Sequence, residues 1–362
     1  MRSGKTRPSD PLRMNIRFFA ALTQIALLIV LALLGGCGLP YSLIPVAPER
    51  FTFSKQGHTL SIPIRTSHPL DTAGSQLTHL IIVVHGSGLN PDSSLRRGKK
   101  IAETVGLDLK NVMVAAPQFL QKRVGHDEKG VLVWDSKWRG GGESLSINSN
   151  HDLPRVSSFE VLDRLIQRIA AQGSLKRVTV LGHSAGGQFA LRYAAINRIH
   201  DDMARQKTHM NYVVANPSSY LYLNKERYAF EEKGSIKPIP GHQLAGCPQY
   251  NNYKYGLDNL YGYAKSLPIA KIRQQLMSRP VLFLLGTLDN ERGKGLDKTC
   301  SADCQGDNRF ERGLLYKHHL QSLAPAGLKS RQQWLEIPGV GHSASKVFYY
   351  PGVAQAALQS SD

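Results

Sequence analysis

Val178-Thr179-Val180-Leu181-Gly182-His183-Ser184-Ala185-Gly186-Gly187 is an apolar β-type run that breaks into Gly-x-Ser-x-Gly and then into a helical pattern. The glycines at 182 and 186 leave room for a sharp turn in which Ser184 takes an unfavourable backbone conformation and points its hydroxyl out at the top of a sheet. Gln188 to Ile199 carries apolar residues at Phe189, Ala190, Leu191, Ala194, Ala195 and Ile196, a helical face directly after the turn. A glycine-rich loop with an incidental serine is the bland reading of the motif. With strand before and helix after, Ser184 is instead a candidate nucleophile.

A serine alone is too weakly acidic to attack a carbonyl, so a base and an orienting acid should follow along the chain. Pro280 to Gly286 reads as a buried parallel strand, and Asp289 follows its carboxyl end, where open α/β sheets place functional loops. Gln333 to Ile337 is another strand candidate, and Pro338-Gly339-Val340-Gly341-His342 puts His342 on a glycine-rich loop ahead of a last helix. Asp289 is the candidate acid and His342 the candidate base.

The order serine, acid, histidine is that of α/β-hydrolases, and Gly182 to Gly186, Asp289 and His342 together resemble that superfamily in its esterase and lipase-like branch, over about residues 50 to 360. Leu80 to Gly88 adds a strand ending in His85-Gly86-Ser87-Gly88, similar to the superfamily's oxyanion-hole segment. That match implies that the backbone N–H groups of Ser87 and Ala185 hold the negative oxygen of a tetrahedral intermediate. The resemblance implies an α/β fold, a doubly wound and mostly parallel sheet with a cap or lid insertion.

The remaining pattern fits such a sheet. Leu60 to Ile64 reads as an early antiparallel strand, Asn111 to Pro117 and Asn211 to Ala215 as buried strands, and Phe159 to Ala171 as a helix stopped by Gly173 and Ser174. Strands alternating with helices mean one core, so residues 51–362 read as a single catalytic domain. Between about 217 and 268 the pattern fails, and Tyr220, Tyr222, Tyr228, Tyr250, Tyr253, Tyr255, Tyr261 and Tyr263 appear among Gly, Pro and Asn. This insertion reads as a lid whose tyrosines either line an acyl or aromatic substrate pocket or simply pack on the core. Trp134, Asp135, Trp138 and Arg139 form a loop expected to rim the same pocket.

The first residues belong to targeting. Arg2, Lys5, Arg7, Arg13 and Arg17 precede an apolar stretch from Phe18 to Leu34, and Leu34-Gly35-Gly36-Cys37 resembles the bacterial lipobox. Residues 1–36 are therefore read as a lipoprotein signal peptide, Cys37 as the lipidated residue and 37–50 as a tether. An uncleaved signal anchor is the competing reading. Gly38 after the cysteine implies, by resemblance to Gram-negative sorting, the outer membrane, facing the periplasm or the cell surface. Of the formal net charge of +18, the five basic residues against Asp10 in residues 1–36 account for four, leaving +14. Such a surface attracts anionic partners. Arg96-Arg97-Gly98-Lys99-Lys100 is the densest basic cluster and reads as a solvated helix face.

Nucleic-acid binding has no motif here, and no Cys/His cluster has zinc spacing. Cys247, Cys300 and Cys304 would meet an oxidising compartment after export. A Cys247 to Cys300 bridge, with Cys304 the alternative partner, would tie the lid to the loop carrying the acid. The sequence thus points to a membrane-anchored serine hydrolase of ester-type small-molecule or polymer substrates, needing no cofactor and no metal. An acyltransferase would use the same residues, and a non-catalytic binding protein could keep the same fold.

Overall fold

Two kinds of strand are written into the chain, and they pair differently. β1 (Glu49–Lys55) fully buries only Phe51 and runs antiparallel to β2 (His58–Thr66). Gln56 and Gly57 join them with φ of 49° and 78°, the two-residue turn whose twist suits a hairpin. β3 (His79–Val84), β4 (Val112–Pro117), β5 (Arg177–His183), β6 (His209–Ala215) and β7 (Val281–Gly286) are apolar runs buried along nearly their whole length. Strands covered on both faces require that composition. β8 (Gln332–Ile337) closes the far edge.

A computed structural model of the chain describes residues 44–71, 76–173, 175–324 and 331–359. Its eight-stranded sheet has the order β1-β2-β4-β3-β5-β6-β7-β8, with β2 antiparallel to β1 and β4 and every other pair parallel. Helices α1 (Pro91–Thr104), α2 (Ser158–Ala170), α3 (Ala185–Ile196), α4 (Ile269–Ser278), α5 (Arg309–Leu323), α6 (Ala344–Phe348) and α7 (Val353–Leu358) cover it. Alternate residues of β3 show the layers: Leu80, Ile82 and Val84 join the core of α2 to α5, whereas Ile81 and Val83 join that of α1, α6 and α7. Because β3, β5, β7 and β8 are parallel, the segments after Val84, His183, Gly286 and Ile337 all emerge at one end of the sheet.

Residues from Ile44 onward form one compact unit. Within the span 37–50 expected as a tether, residues 45–47 are held on the domain, because Gln118 accepts a hydrogen bond from Ala47 N–H at 2.9 Å and donates to Pro45 O at 3.0 Å. Cys37 and the apolar stretch Phe18 to Leu34 lie outside the described residues. Among the described residues no helix is long and apolar enough to cross a membrane.

The segment between β6 and α4 packs against the core. Tyr220 and Tyr222 are fully buried and pack against Tyr316 of α5, tilted and edge-on respectively, with ring centroids 4.6 and 5.3 Å apart. The Tyr253 hydroxyl donates to Gly140 O at 2.6 Å, and that of Tyr263 to the Asp163 carboxylate. For these tyrosines core packing is the outcome rather than a pocket lining. Trp134 and Trp138 likewise do not rim a pocket: both are buried, and Trp138 stacks on Phe119.

An irregular segment has no ladder to satisfy its carbonyls, so donors must come from elsewhere. Three buried arginines supply them. Arg192 of α3 donates to Gln188 O and Lys254 O, Arg227 to Asn224 O and Tyr250 O, and Arg312 of α5 to Ser218 O and Asp297 O.

Candidate active site

Around Ser184, the turn between β5 and α3 leaves no space for a side chain at three glycine positions. A Cβ on Gly182 would stand 2.3 Å from Gly186 C, one on Gly186 2.2 Å from Val84 O, and one on Gly187 2.6 Å from Ala215 O. Ser184 sits at φ 58°, ψ −116°, a strained conformation held by its N–H donating to Ala215 O at 2.9 Å. Its side chain does not cap the helix. Gly186→Ala is expected to abolish soluble folded protein or to remove activity with a lowered melting temperature; a variant matching the parent in both would show that the turn tolerates a Cβ.

Ser184, Asp289 and His342 are brought together from three loops. His342 Nε2 lies 3.0 Å from Ser184 Oγ, and His342 Nδ1 2.6 Å from Asp289 Oδ2. The acid and base loops are laced to each other: Thr287 N donates to Ile337 O (3.1 Å), Leu288 N to Val340 O (3.0 Å) and Gly339 N to Thr287 Oγ1 (3.0 Å). The other oxygen of Asp289 accepts from Arg309 Nη1 at 3.3 Å, and both residues are buried. Arg309 opens α5 after the Asn308 cap, and its Nε donates to Ser218 Oγ at 3.2 Å. No sequence motif marked Arg309, which stands 20 positions from its partner.

The same crowding brings the loop after β3 onto the helix. Gly186 lies against the carbonyls of Val84 and His85, so the loop after β3 rests on the first turn of α3, where Ala185 N–H has no intrahelical acceptor. His85 fixes that loop. Its Nε2 accepts from Phe119 N–H at 3.0 Å, which puts the proton on Nδ1, 2.8 Å from Gly86 O. The ring packs 4.8 Å from Trp138, and burial pulls its pKa down to about 4.

His319 is another histidine kept neutral by burial, its pKa pulled down to about 3 while Nε2 accepts from Leu223 N–H. Both take a proton near the ordinary 6.5 when unfolded, so the stability they contribute is complete above that value and is lost as pH falls from 6.5 towards 4. At pH 5 each should cost about 2 kcal/mol relative to pH 7.5. Urea unfolding at the two pH values measures this, and an unchanged midpoint would refute it.

The segment 217–268 is fastened to the loop beyond Asp289. Cys247 and Cys300 form a disulfide with Cα atoms 5.8 Å apart, while Cys304 is a free, half-buried thiol. Lys254 Nζ meets Asp297 Oδ2 at 3.0 Å, and Tyr255 OH donates to the same oxygen at 2.8 Å. Burial brings Lys254 down to about 8. Burial alone would raise Asp297, but the Lys254 charge and hydrogen bonds from Tyr255 and Thr299 hold it below the ordinary carboxylate range.

Two solved structures superpose over most of the chain. A poly(aspartic acid) hydrolase-1 from Sphingomonas sp. KT-1 is 19% identical, with 83% of this chain and 96% of that one covered and a TM-score of 0.53. LpqC, a poly(3-hydroxybutyrate) depolymerase from Bordetella parapertussis, is 18% identical, with 88% and 92% covered and a TM-score of 0.57. A family model described as alpha/beta hydrolase of unknown function (DUF900) matches residues 68–224. The chain has the α/β-hydrolase fold. No curated protein matches it. The segment 217–268 lies in the chain between β6 and α4, and the loop 85–88 rests beside the strand-to-helix turn. Among the described residues no group of three or more His, Cys, Asp or Glu could hold a metal ion.

Proposed function

We propose that the protein is a serine hydrolase that cleaves carboxylic esters, in preference to the amide-hydrolase reading, through an acyl-enzyme. The observation that carries this reading is the hydrogen-bonded line from Ser184 Oγ through His342 to Asp289, reaching a serine on a strained turn. Ser184 Oγ attacks the carbonyl carbon while His342 Nε2 takes its proton, and the carbonyl oxygen becomes an anion facing the N–H groups of Ser87 and Ala185. As the intermediate collapses, His342 gives that proton to the departing alcohol oxygen, leaving the acyl group on Ser184. Water then repeats the sequence, with His342 as base, and releases the acid. Asp289 keeps Nδ1 protonated and stabilises the charged imidazole, and Arg309 holds the Asp289 carboxylate in place.

Both superposable neighbours are described by the polymers they act on, which supports a substrate of ester type, small or polymeric. A fluorophosphonate probe should label the purified protein at one serine, and p-nitrophenyl esters from two to sixteen carbons should report pocket depth. Absence of labelling, or labelling that survives Ser184→Ala, would overturn the assignment.

The cellular setting proposed is the envelope, with Cys37 lipidated and the outer membrane as destination, supported by the basic n-region, the apolar stretch and the lipobox-like Leu34 to Cys37. In a Gram-negative host the protein should incorporate labelled palmitate, and Cys37→Ser should abolish it. Recovery of unlabelled wild-type protein from the soluble periplasm would contradict this.

A further inference from the structure

Beside the serine, on the α1 side of the sheet, lies a cavity of about 210 Å³ lined by Gly86, Gly88, Arg97, His183, Ala344 and Phe348. Its lining residues neighbour the catalytic ones. His183 immediately precedes Ser184, its ring packs 4.5 Å from the His342 ring, and Gly86 and Gly88 flank Ser87. His342 must hand its proton to the departing oxygen, so the side of the site next to His342 is where the alcohol part of an ester leaves. His183, which lines the cavity, packs on that side.

Its polar groups are unspent. His183 is 9% exposed, and its Nε2 has no hydrogen-bond partner among the described residues. Arg97 is half-buried, with Nε sequestered and without a partner, and makes no ion pair among the described residues. The neighbouring hydroxyls are already used, since Ser93 and Ser94 both donate to Asn90 O. Gly98 explains why Arg97 is not the solvated residue that its basic run suggests. A Cβ at position 98 would stand 2.4 Å from Val114 Cγ1 and 2.9 Å from Val83 Cγ2, so α1 is pressed onto the sheet there and carries Arg97 into the crevice. Burial pulls the guanidinium below its ordinary value and Arg96 adds to this, while the Tyr349 phenol acts the other way without being a counter-ion. Burial likewise keeps His183 neutral, so one positive charge commands the cavity.

We propose that this cavity is a carboxylate subsite, in which Arg97 binds the acid group of an ester whose alcohol part is a hydroxy acid. The inference rests on the ester-hydrolase reading above and names its substrate class. The space equals roughly seven water volumes, enough for a carboxylate on a short alkyl stem and too small for a long acyl chain. Guanidinium and carboxylate match in geometry, and a charge-assisted pair in a partly buried crevice discriminates strongly against a neutral isostere.

The test compares 4-(butanoyloxy)butanoate with its primary amide on the full chain, two esters alike in everything but the distal charge. The wild type should favour the carboxylate in kcat/KM by about tenfold or more. Arg97→Gln should bring the ratio close to one, Arg97→Lys should keep part of it, and added salt should lower it. A wild-type ratio near one, or a preference that survives Arg97→Gln, overturns the proposal. Calorimetric binding of the two compounds to Ser184→Ala protein separates this from the catalytic reading. If neither ester turns over, the hydrolase reading fails, and the subsite still stands or falls on whether the carboxylate binds about tenfold more tightly and loses that margin with Arg97→Gln.

Discussion

Ser184→Ala and His342→Ala should each lower kcat by a factor on the order of 10⁴ to 10⁶ with the fold retained, because members of such a set act as a unit and losing one idles the rest. Ser184 is partly exposed and makes no capping bond, so removing its hydroxyl leaves no buried group unpaired. Asp289→Asn should cost somewhat less in rate, but it carries a second penalty that the others lack. Asp289 is buried against Arg309, and an amide at that position strands the guanidinium without its counter-charge. A loss of stability on the order of 3 kcal/mol should accompany the loss of rate. Circular dichroism melts beside ester kinetics separate the two effects. A Ser184→Ala protein retaining a tenth of the parent activity would remove this serine from the mechanism.

Reducing the Cys247–Cys300 bond, or replacing both cysteines by serine, should destabilise the protein by about 4 kcal/mol in the chain-entropy estimate for a loop of this length, lowering Tm by roughly 5 to 10 °C. Activity should fall with it, since the bond ties the segment 217–268 to the loop that continues from Asp289. The Lys254–Asp297 pair and the Arg192 donors to Lys254 O remain, so the segment should loosen rather than detach. Peptide mapping of native protein under non-reducing conditions checks the pairing itself. Full alkylation of Cys247 before denaturation, or a Tm indifferent to reductant, would contradict it.

What the sequence made legible was what depends on nearest neighbours. Glycines two positions on either side of Ser184 announce a turn that no other residue tolerates, and unbroken runs such as Val281 to Leu285 announce strands buried on both faces. The loop positions of Asp289 and His342 followed from those strands, and the structure places both side chains on one line with Ser184. What stayed hidden depends on distant partners. Arg309, Arg192 and Arg312 look like ordinary surface charges until the carbonyls and carboxylate they meet are known. Arg97 was disguised by its basic neighbours, because a single glycine contact with Val83 and Val114 decides which way that helix face lies. The tyrosines of 217–268 were ambiguous by chemistry, since a ring with a hydroxyl serves a pocket or a core equally well, and only the reach to Gly140 O and Asp163 decides. The hold on residues 45–47 turned on Gln118, more than 60 residues beyond the segment it captures.

The fastening of the segment 217–268 has a kinetic meaning. A flap that swings must be ordered again for each substrate molecule, and that entropic cost recurs in every turnover as weaker binding or slower closure. Here a covalent bond, an ion pair and buried guanidinium groups fix the segment once, during folding. Nothing in it then has to close on substrate, whose rate of capture should follow collision and charge attraction rather than a gating step. Esterase progress curves should start without a lag, and dispersed lipid or detergent surfaces should leave the initial rate unchanged.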